Sequence, residues 1–256
     1  MRWYWHSFLK GVHHFFVAKE RHGVHSPLVY QLMDKDLKIP LPSRLQRIQS
    51  HRKFLSSSIE QWEAVDLGAG SRSVTKNLGH AVRKASSDEK KGAFLYRWIN
   101  RFQPKFTLEL GTHVGLGSAY LLEGCPETQL YTIEGDPFLY QKSLDWLKQY
   151  GDRVHSFNGS FDAVLQDVLP KQRWDLVIID GHHEGEALLR YWQRILPYLN
   201  DDAWVIMDDI HWSPDMSAAW NAIVESSQSK LTLDFFQFGV YGHMARHQKE
   251  HFLLRY

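Results

Sequence analysis

Residues 108–118 read Leu108-Glu109-Leu110-Gly111-Thr112-His113-Val114-Gly115-Leu116-Gly117-Ser118. A β-rich run carries an acid two residues before a glycine turn, and a helix-compatible stretch follows. This is the opening of a nucleoside-binding βαβ unit, which needs a second strand ending in an acidic residue about 20 positions on. Leu130-Tyr131-Thr132-Ile133-Glu134 supplies that strand. A rival loop, Val65-Asp66-Leu67-Gly68-Ala69-Gly70-Ser71, has the same acid and glycines. Its downstream window, Ser86-Ser87-Asp88-Glu89-Lys90-Lys91, cannot be a buried strand and looks like an exposed loop. The loop at Gly111 is therefore expected to hold the ligand. Residues 66–70 are read as a structural glycine turn, with a place at the border of the pocket left open.

Outward from this unit, short apolar runs alternate with helix-like segments from about residue 105 onward, the pattern of a doubly wound α/β sheet. Strands are expected at 107–110, 129–134, 154–158, 174–180 and 203–208. Two more, 231–236 and 239–244, are separated only by Gln237 and Phe238, too short for a helical crossover. They are expected to form an antiparallel hairpin closing one edge of the sheet. Residues 1–90 lack the alternation and are read as a helical N-terminal cap or lid, leaving 91–256 as the ligand-binding domain. Apolar residues there recur at helical spacing: Trp5, Phe8, Leu9, Val12, Phe15 and Phe16. The plain reading packs that stripe on the sheet domain or on a second subunit, making a homodimer contact; a membrane-surface helix or a substrate-gripping lid are the alternatives. Ser26-Pro27 fits an N-cap with proline at the first helical position.

Composition narrows the function classes. The 256 residues are 43% hydrophobic and 23% charged, enough for one large core with an appended subdomain. Thirty basic residues against 29 acidic ones leave a net charge of +1, so nucleic acid is not the expected partner. A single cysteine, Cys125, excludes an intramolecular disulfide and a cysteine metal cluster and suits a reducing compartment. No apolar run approaches the ~20 residues of a membrane span. A soluble, cytoplasmic protein is expected.

The glycines fall at i, i+4 and i+6 (Gly111, Gly115, Gly117), whereas the dinucleotide fingerprint needs i, i+2 and i+5. That spacing argues against a nicotinamide-dependent oxidoreductase. A carboxylate at Glu109 would repel a pyrophosphate but favour a ligand carrying an ammonium and a sulfonium. S-adenosylmethionine is such a ligand, and Glu134 can accept both of its ribose hydroxyls.

Taken together, Glu109-Leu110-Gly111-Thr112-His113-Val114-Gly115, Thr132-Ile133-Glu134-Gly135, Asn158-Gly159-Ser160, Ile178-Ile179-Asp180-Gly181 and Met207-Asp208-Asp209 resemble the motifs of a class I S-adenosylmethionine-dependent methyltransferase. The nearest branch is the small-molecule O-methyltransferases of the catechol and macrolide-sugar type, in a bacterial subgroup of unknown substrate. The resemblance covers about residues 91–244. It implies a seven-stranded Rossmann-like sheet of order 3-2-1-4-5-7-6 with strand 7 antiparallel. It further implies that Gly111, Thr112 and Gly115 line the methionyl part of the cofactor beside Glu109, that Glu134 holds the ribose, and that Ser160 and Phe161 flank the adenine. Phe161 fits the core equally well.

At the ends of the fourth and fifth strands, Asp180, Asp208 and Asp209 fall where metal-dependent relatives hold a divalent ion. Three neighbouring carboxylates repel one another unless a cation or a shared proton relieves them, and Mg2+ would suit them. Such an ion would bind the acceptor hydroxyl and ease loss of its proton, with Asp180 also bordering the cofactor. The aspartates could instead cap the next helix, but Ser213 is available for that duty. Catechol-type enzymes carry a lysine where this chain has His183, so the usual base is missing. His211, matching a histidine of the macrolide-sugar members, or His183 could replace it, with His211 the favoured one, since an imidazole is a suitable base near neutral pH. Gly185 stands where relatives tend to have an aromatic, a change that would widen the acceptor pocket.

The expected activity is O-methylation of a small-molecule hydroxyl assisted by a divalent metal. Alternatives are a metal-independent methyltransferase with a histidine base, and a non-catalytic cofactor-binding or regulatory module. The many aromatics suit an apolar or aromatic acceptor, although core packing accounts for them equally.

Overall fold

The computed structural model describes residues 2–18, 25–65, 73–244 and 248–256. In chain order the helices and strands are α1 (Arg2–Val17), α2 (Pro27–Asp34), α3 (Gln46–Ser56), β1 (Gln61–Val65), β2 (Ser73–Asn77), α4 (Leu78–Ala85), α5 (Glu89–Phe102) and β3 (Phe106–Leu110). There follow α6 (Leu116–Gly124), β4 (Gln129–Glu134), α7 (Pro137–Leu147), β5 (Val154–Asn158), α8 (Phe161–Val168) and β6 (Trp174–Ile179). The remainder is α9 (Gly185–Ile195), β7 (Leu199–Asp208), α10 (Pro214–Glu225), β8 (Leu231–Asp234), β9 (Phe238–His243) and β10 (Glu250–Leu253). The class is α/β and Rossmann-like, with mostly parallel strands and helices between them. None of the described helices is long and apolar enough to cross a membrane.

The chain divides into two compact units, a central one, Asp36–Val168, and a terminal one, Met1–Lys35 with Leu169–Tyr256. The central unit holds a parallel run β3-β4-β5, in register from Phe106 beside Gln129 to Glu134 beside Asn158. Its strands are apolar because both faces are covered: Leu108, Leu110, Leu130 and Ile133 are buried, as are Phe94, Trp98 and Ile99 of α5 and Tyr120 and Leu121 of α6. Asp88 caps α5 by accepting the Lys91 N–H at 2.8 Å, so the stretch expected as an exposed loop, 86–91, instead starts a helix with Lys91 buried in its first turn. A two-stranded antiparallel hairpin, β1 with β2, lies within the region expected to be helical. The rival glycine loop, 66–70, falls between those strands and outside the described residues.

The terminal unit holds the run β6-β7-β9-β8-β10. β6 and β7 are parallel, and β9 is antiparallel to both β7 and β8. Both halves of the expected order, 3-2-1 and 4-5-7-6, are therefore present, with strand 7 antiparallel. One strand had no sequence signal: β10 adds parallel to β8, so the 231–236 strand is flanked on both sides and does not form the edge. Phe252 is buried on β10, but its neighbours Glu250 and His251 gave no apolar run to read. Trp174, Tyr191, Trp220 and Tyr241 fill this unit's core and Trp98 the other's, so core packing, not acceptor recognition, accounts for these aromatics.

Candidate functional site

Glu134 ends β4 and is the best-defined ligand-ready group of the central unit. One carboxylate oxygen accepts the His113 backbone N–H at 2.7 Å and the other accepts that of Asp136 at 2.9 Å. Each oxygen keeps a further lone pair, the arrangement needed to receive two adjacent hydroxyls. Burial pushes the carboxyl up to about 7, and the backbone donors of Asp136, His113 and Gly135 offset that only in part. The strand end is tied down from both sides. Asn158 donates from its side chain to the Glu134 carbonyl at 2.8 Å, and Gly159 donates its N–H to the same oxygen at 3.1 Å. Asp136 caps α7 by accepting from Phe138 and Leu139, and its second oxygen accepts the Trp62 indole N–H at 2.8 Å.

The glycine loop folds as its residues require. Gly111 (φ 104°) and Gly115 (φ 79°) adopt left-handed backbone, which glycine enters without a steric penalty. Gly111 and Thr112 both donate their N–H to the Ile133 carbonyl, and Gly115 donates to that of Thr112, which turns the chain into α6. His113, also left-handed at φ 52°, bonds Ser86 through Nδ1 at 2.8 Å. Burial, aided by the Lys91 cation, lowers its imidazole to about 4, so it is neutral at physiological pH.

Glu109 differs from the expectation of a carboxylate at the loop's mouth. It is buried beneath the loop, accepting the hydroxyls of Thr132 (2.6 Å) and Ser118. Gly117 is small for this reason: a Cβ there would lie 3.0 Å from Ser87 Oγ and 3.3 Å from Glu109 Oε1. The Thr112 hydroxyl is likewise turned inward, onto that of Thr132. Ser160 Oγ accepts the Ala163 N–H at the start of α8, and Phe161 is buried at the first position of that helix.

The terminal unit carries the other candidates. Asp180 follows β6 and is half-buried, Asp208 is buried at the end of β7, and Asp209 leaves the strand at φ 54°. The Asp209 carboxylate pairs with exposed His183 Nδ1 at 3.6 Å. Among the described residues no three of His, Cys, Asp and Glu converge as metal ligands. Asp180, Asp208 and Asp209, as they stand, do not converge into the Mg2+ site expected of them.

His211 is buried with both ring nitrogens engaged. Nε2 donates to Asp234 Oδ2 at 2.9 Å, which leaves Nδ1 to accept from Ser217 Oγ at 3.1 Å. Asp234 also receives the Trp220 indole N–H (3.2 Å) and the Phe236 backbone N–H (2.8 Å), with His14 Nε2 at 3.4 Å. Burial alone would raise the Asp234 carboxyl, but the bonds from His14 and His211 outweigh it and hold it far below the usual range. Ser213 caps α10 through the Met216 N–H, the duty expected of it. Gly185 is glycine because a Cβ would collide with the Asp215 carbonyl, while its N–H donates to Asp215 Oδ2 at 2.9 Å. Close packing against α10 accounts for the glycine.

Residues 108–210 match a protein family described as a methyltransferase domain. Over that stretch the chain is similar to a methyltransferase domain. Solved structures share its fold at low identity. A methyltransferase of Podospora anserina, bound to S-adenosylhomocysteine, is 16% identical with a TM-score of 0.61, covering 86% of this chain and 97% of that one. An O-methyltransferase of Bacillus cereus, in complex with the same product, is 14% identical with a TM-score of 0.58, covering 84% and 96%. The O-methyltransferase TomG of Streptomyces achromogenes, in complex with S-adenosylmethionine, is 17% identical with a TM-score of 0.53, covering 88% and 99%.

Several supports of these sites have little or no signal in the sequence. Asp136 had a signal, since an aspartate directly before Pro137 is a helix N-cap signature. Asn158 stood within a quoted motif without a role. The His113 backbone donor had none, because any residue can supply an N–H there. Asp234 and His14 lie 220 positions apart, beyond any spacing rule.

Proposed function

We propose that this chain transfers the methyl group of S-adenosylmethionine to a hydroxyl oxygen of a small molecule, with Glu134 holding the ribose and His183 taking the acceptor's proton. The observation that carries the reading is the Glu134 carboxylate, each of whose oxygens is held by a backbone N–H and retains a lone pair. The left-handed glycines at 111 and 115 support the same reading, because they let the chain turn sharply from β3 into α6 where the methionyl part would lie. Oxygen as the acceptor atom is supported by the O-methyltransferases that share the fold. When bound, S-adenosylmethionine supplies a methyl on a positively charged sulfur, so in-line attack by oxygen returns the bonding pair to sulfur without a covalent enzyme intermediate.

The chain's own task is to align the acceptor and receive its proton. His183 is the better candidate for the base because it is exposed on the loop after β6, with the Asp209 carboxylate 3.6 Å from its Nδ1. His211 has its acceptor nitrogen occupied by Ser217 and serves as a positioning residue. This is the metal-independent form of the reaction, since the three aspartates do not converge as ligands. Gly111, Thr112, Gly115, Ser160 and Phe161 would frame the cofactor, with Glu109 supporting the loop from beneath.

Transfer of a radiolabelled methyl group to a panel of phenols and sugar hydroxyls tests the proposal. His183→Ala is expected to lower kcat by roughly 100-fold, within the usual range for a lost general base, and to leave cofactor affinity unchanged. A chelator is expected to leave turnover unchanged; loss of turnover restored by Mg2+ would return the aspartates to a metal role. Tight cofactor binding with no transfer to any acceptor would favour the regulatory module.

A further inference from the structure

Helix α1 is amphipathic in the wrong sense for a helix covering a core. Its apolar side chains face outward: Phe8 is 61% exposed, Leu9 62%, Val12 40%, Phe15 60% and Phe16 79%. At about 100° per residue these five fall within an arc of roughly 120°. They stay largely exposed, so the stripe does not enter the core of the sheet domain. The inward side is polar and small. His6 Nε2 bonds Ser217 Oγ of α10 at 3.0 Å, His14 Nε2 donates to the Asp234 carbonyl at 3.1 Å, and a Cβ at Gly11 would sit 3.1 Å from the Phe236 ring. Turning the helix to bury its phenylalanines would break the His14 and His6 bonds. The orientation is therefore enforced, and a contiguous exposed apolar face of this kind marks an interaction surface.

The charges around the face select its occupant. The α1 sequence, RWYWHSFLKGVHHFFV, contains six aromatic residues and no carboxylate; at about 100° per residue Arg2 borders the face beside Leu9, whereas Lys10 falls on the inward side. At the far end the exposed Arg255 guanidinium lies over the Phe15 ring, 4.6 Å from its centroid, and its side chain donates to the Phe15 carbonyl. Two-fold pairing of such faces would bring like cations together, with no acid on the helix to balance them. A bilayer with anionic headgroups supplies the missing charge at the rim and an apolar layer for the phenylalanines. We propose that α1 is a docking helix that lies in the plane of an anionic membrane surface and attaches the protein peripherally. The role is separate from methyl transfer and independent of the assignment above.

Co-flotation of the full-length protein with vesicles of phosphatidylcholine containing 30–40 mol% phosphatidylglycerol (about that range) tests it. Binding is expected to the anionic vesicles and to fall several-fold without phosphatidylglycerol or at about 0.5 M salt. Phe8→Ser with Phe16→Ser is expected to lower the bound fraction at least about ten-fold, with cofactor affinity by calorimetry unchanged as proof of folding. Equal binding to pure phosphatidylcholine would overturn the proposal. So would absence of vesicle binding, including the case in which sedimentation reveals a dimer that the double substitution dissolves.

Discussion

The two units treat their polar side chains in opposite ways. In the central unit, Glu134 takes its support from backbone N–H groups of nearby loops and keeps lone pairs for a ligand. In the terminal unit, Asp234, His211, His14, Ser217 and His6 satisfy one another, with partners up to 220 residues apart. The first leaves acceptor capacity open to a ligand, and the second is a buried clamp. A histidine at a family-like position is thus no evidence of a base until its ring nitrogens are accounted for. His183 and His211 flank the same acidic segment, but only His183 is exposed.

Removing one carboxylate from each unit separates these roles. Asp234→Ala leaves His14, His211 and Trp220 with unmet polar groups, so it is expected to destabilise the fold by about 3 kcal/mol in urea melts. A loss below about 1 kcal/mol would mean the clamp is not structural and would restore His211 as a candidate base. Glu134→Ala is expected to weaken S-adenosylmethionine by about 100-fold in calorimetry, or ~2.7 kcal/mol for two charge-assisted bonds. Equal affinity in both proteins would defeat the ribose assignment.

Acidity should divide the units as well. With the Glu134 carboxyl near 7, cofactor affinity is expected to rise about ten-fold per pH unit below that value and level off above it, if binding requires the ionised form. The same group makes stability fall as pH rises from its unfolded value, about 4.5, toward 7, because the unfolded chain releases the proton first. Asp234 has the opposite sign: its depressed carboxyl stabilises above the unfolded value of 3.8, and that is lost as pH falls through the folded value. For His14, burial disfavours the imidazolium but the bonds to Asp234 outweigh it, so its value is raised. That contribution is full below 6.5 and is lost as pH rises through the folded value. Hydrogen exchange followed separately at β4 and α1 distinguishes the three groups.

Smaller effects test local backbone geometry. Gly115→Ala must hold a side chain at φ 79°, which costs about 1–2 kcal/mol, and its Cβ would press on Leu147 at 3.1 Å. Ser213→Ala removes the α10 cap and is expected to cost about 1 kcal/mol in the same melts.

Much of the fold was legible because its signals are local. The runs at 129–134 and 154–158 match β4 and β5 residue for residue, since alternating β-rich segments bounded by turns carry their own boundaries. Glu134 was legible for a related reason: a strand end at fixed spacing from a glycine loop is set by the length of one βαβ unit. The strand β10 was not, because Glu250 and His251 carry no apolar pattern and only pairing with β8 makes them a strand. The burial of Glu109 was also hidden, as an acid before a glycine turn reads the same whether its carboxylate points out or into Thr132 and Ser118.

The sequence by itself determined the α/β class, the glycine turn after β3 and the acid at the end of β4, because each depends on residues within one supersecondary unit. Tertiary structure decided which histidine is spent within the fold, whether three aspartates converge, and which face of α1 looks outward. Those outcomes depend on hydrogen bonds between distant segments, where burial requires every polar group to find a partner and spacing along the chain carries no record of which one it finds.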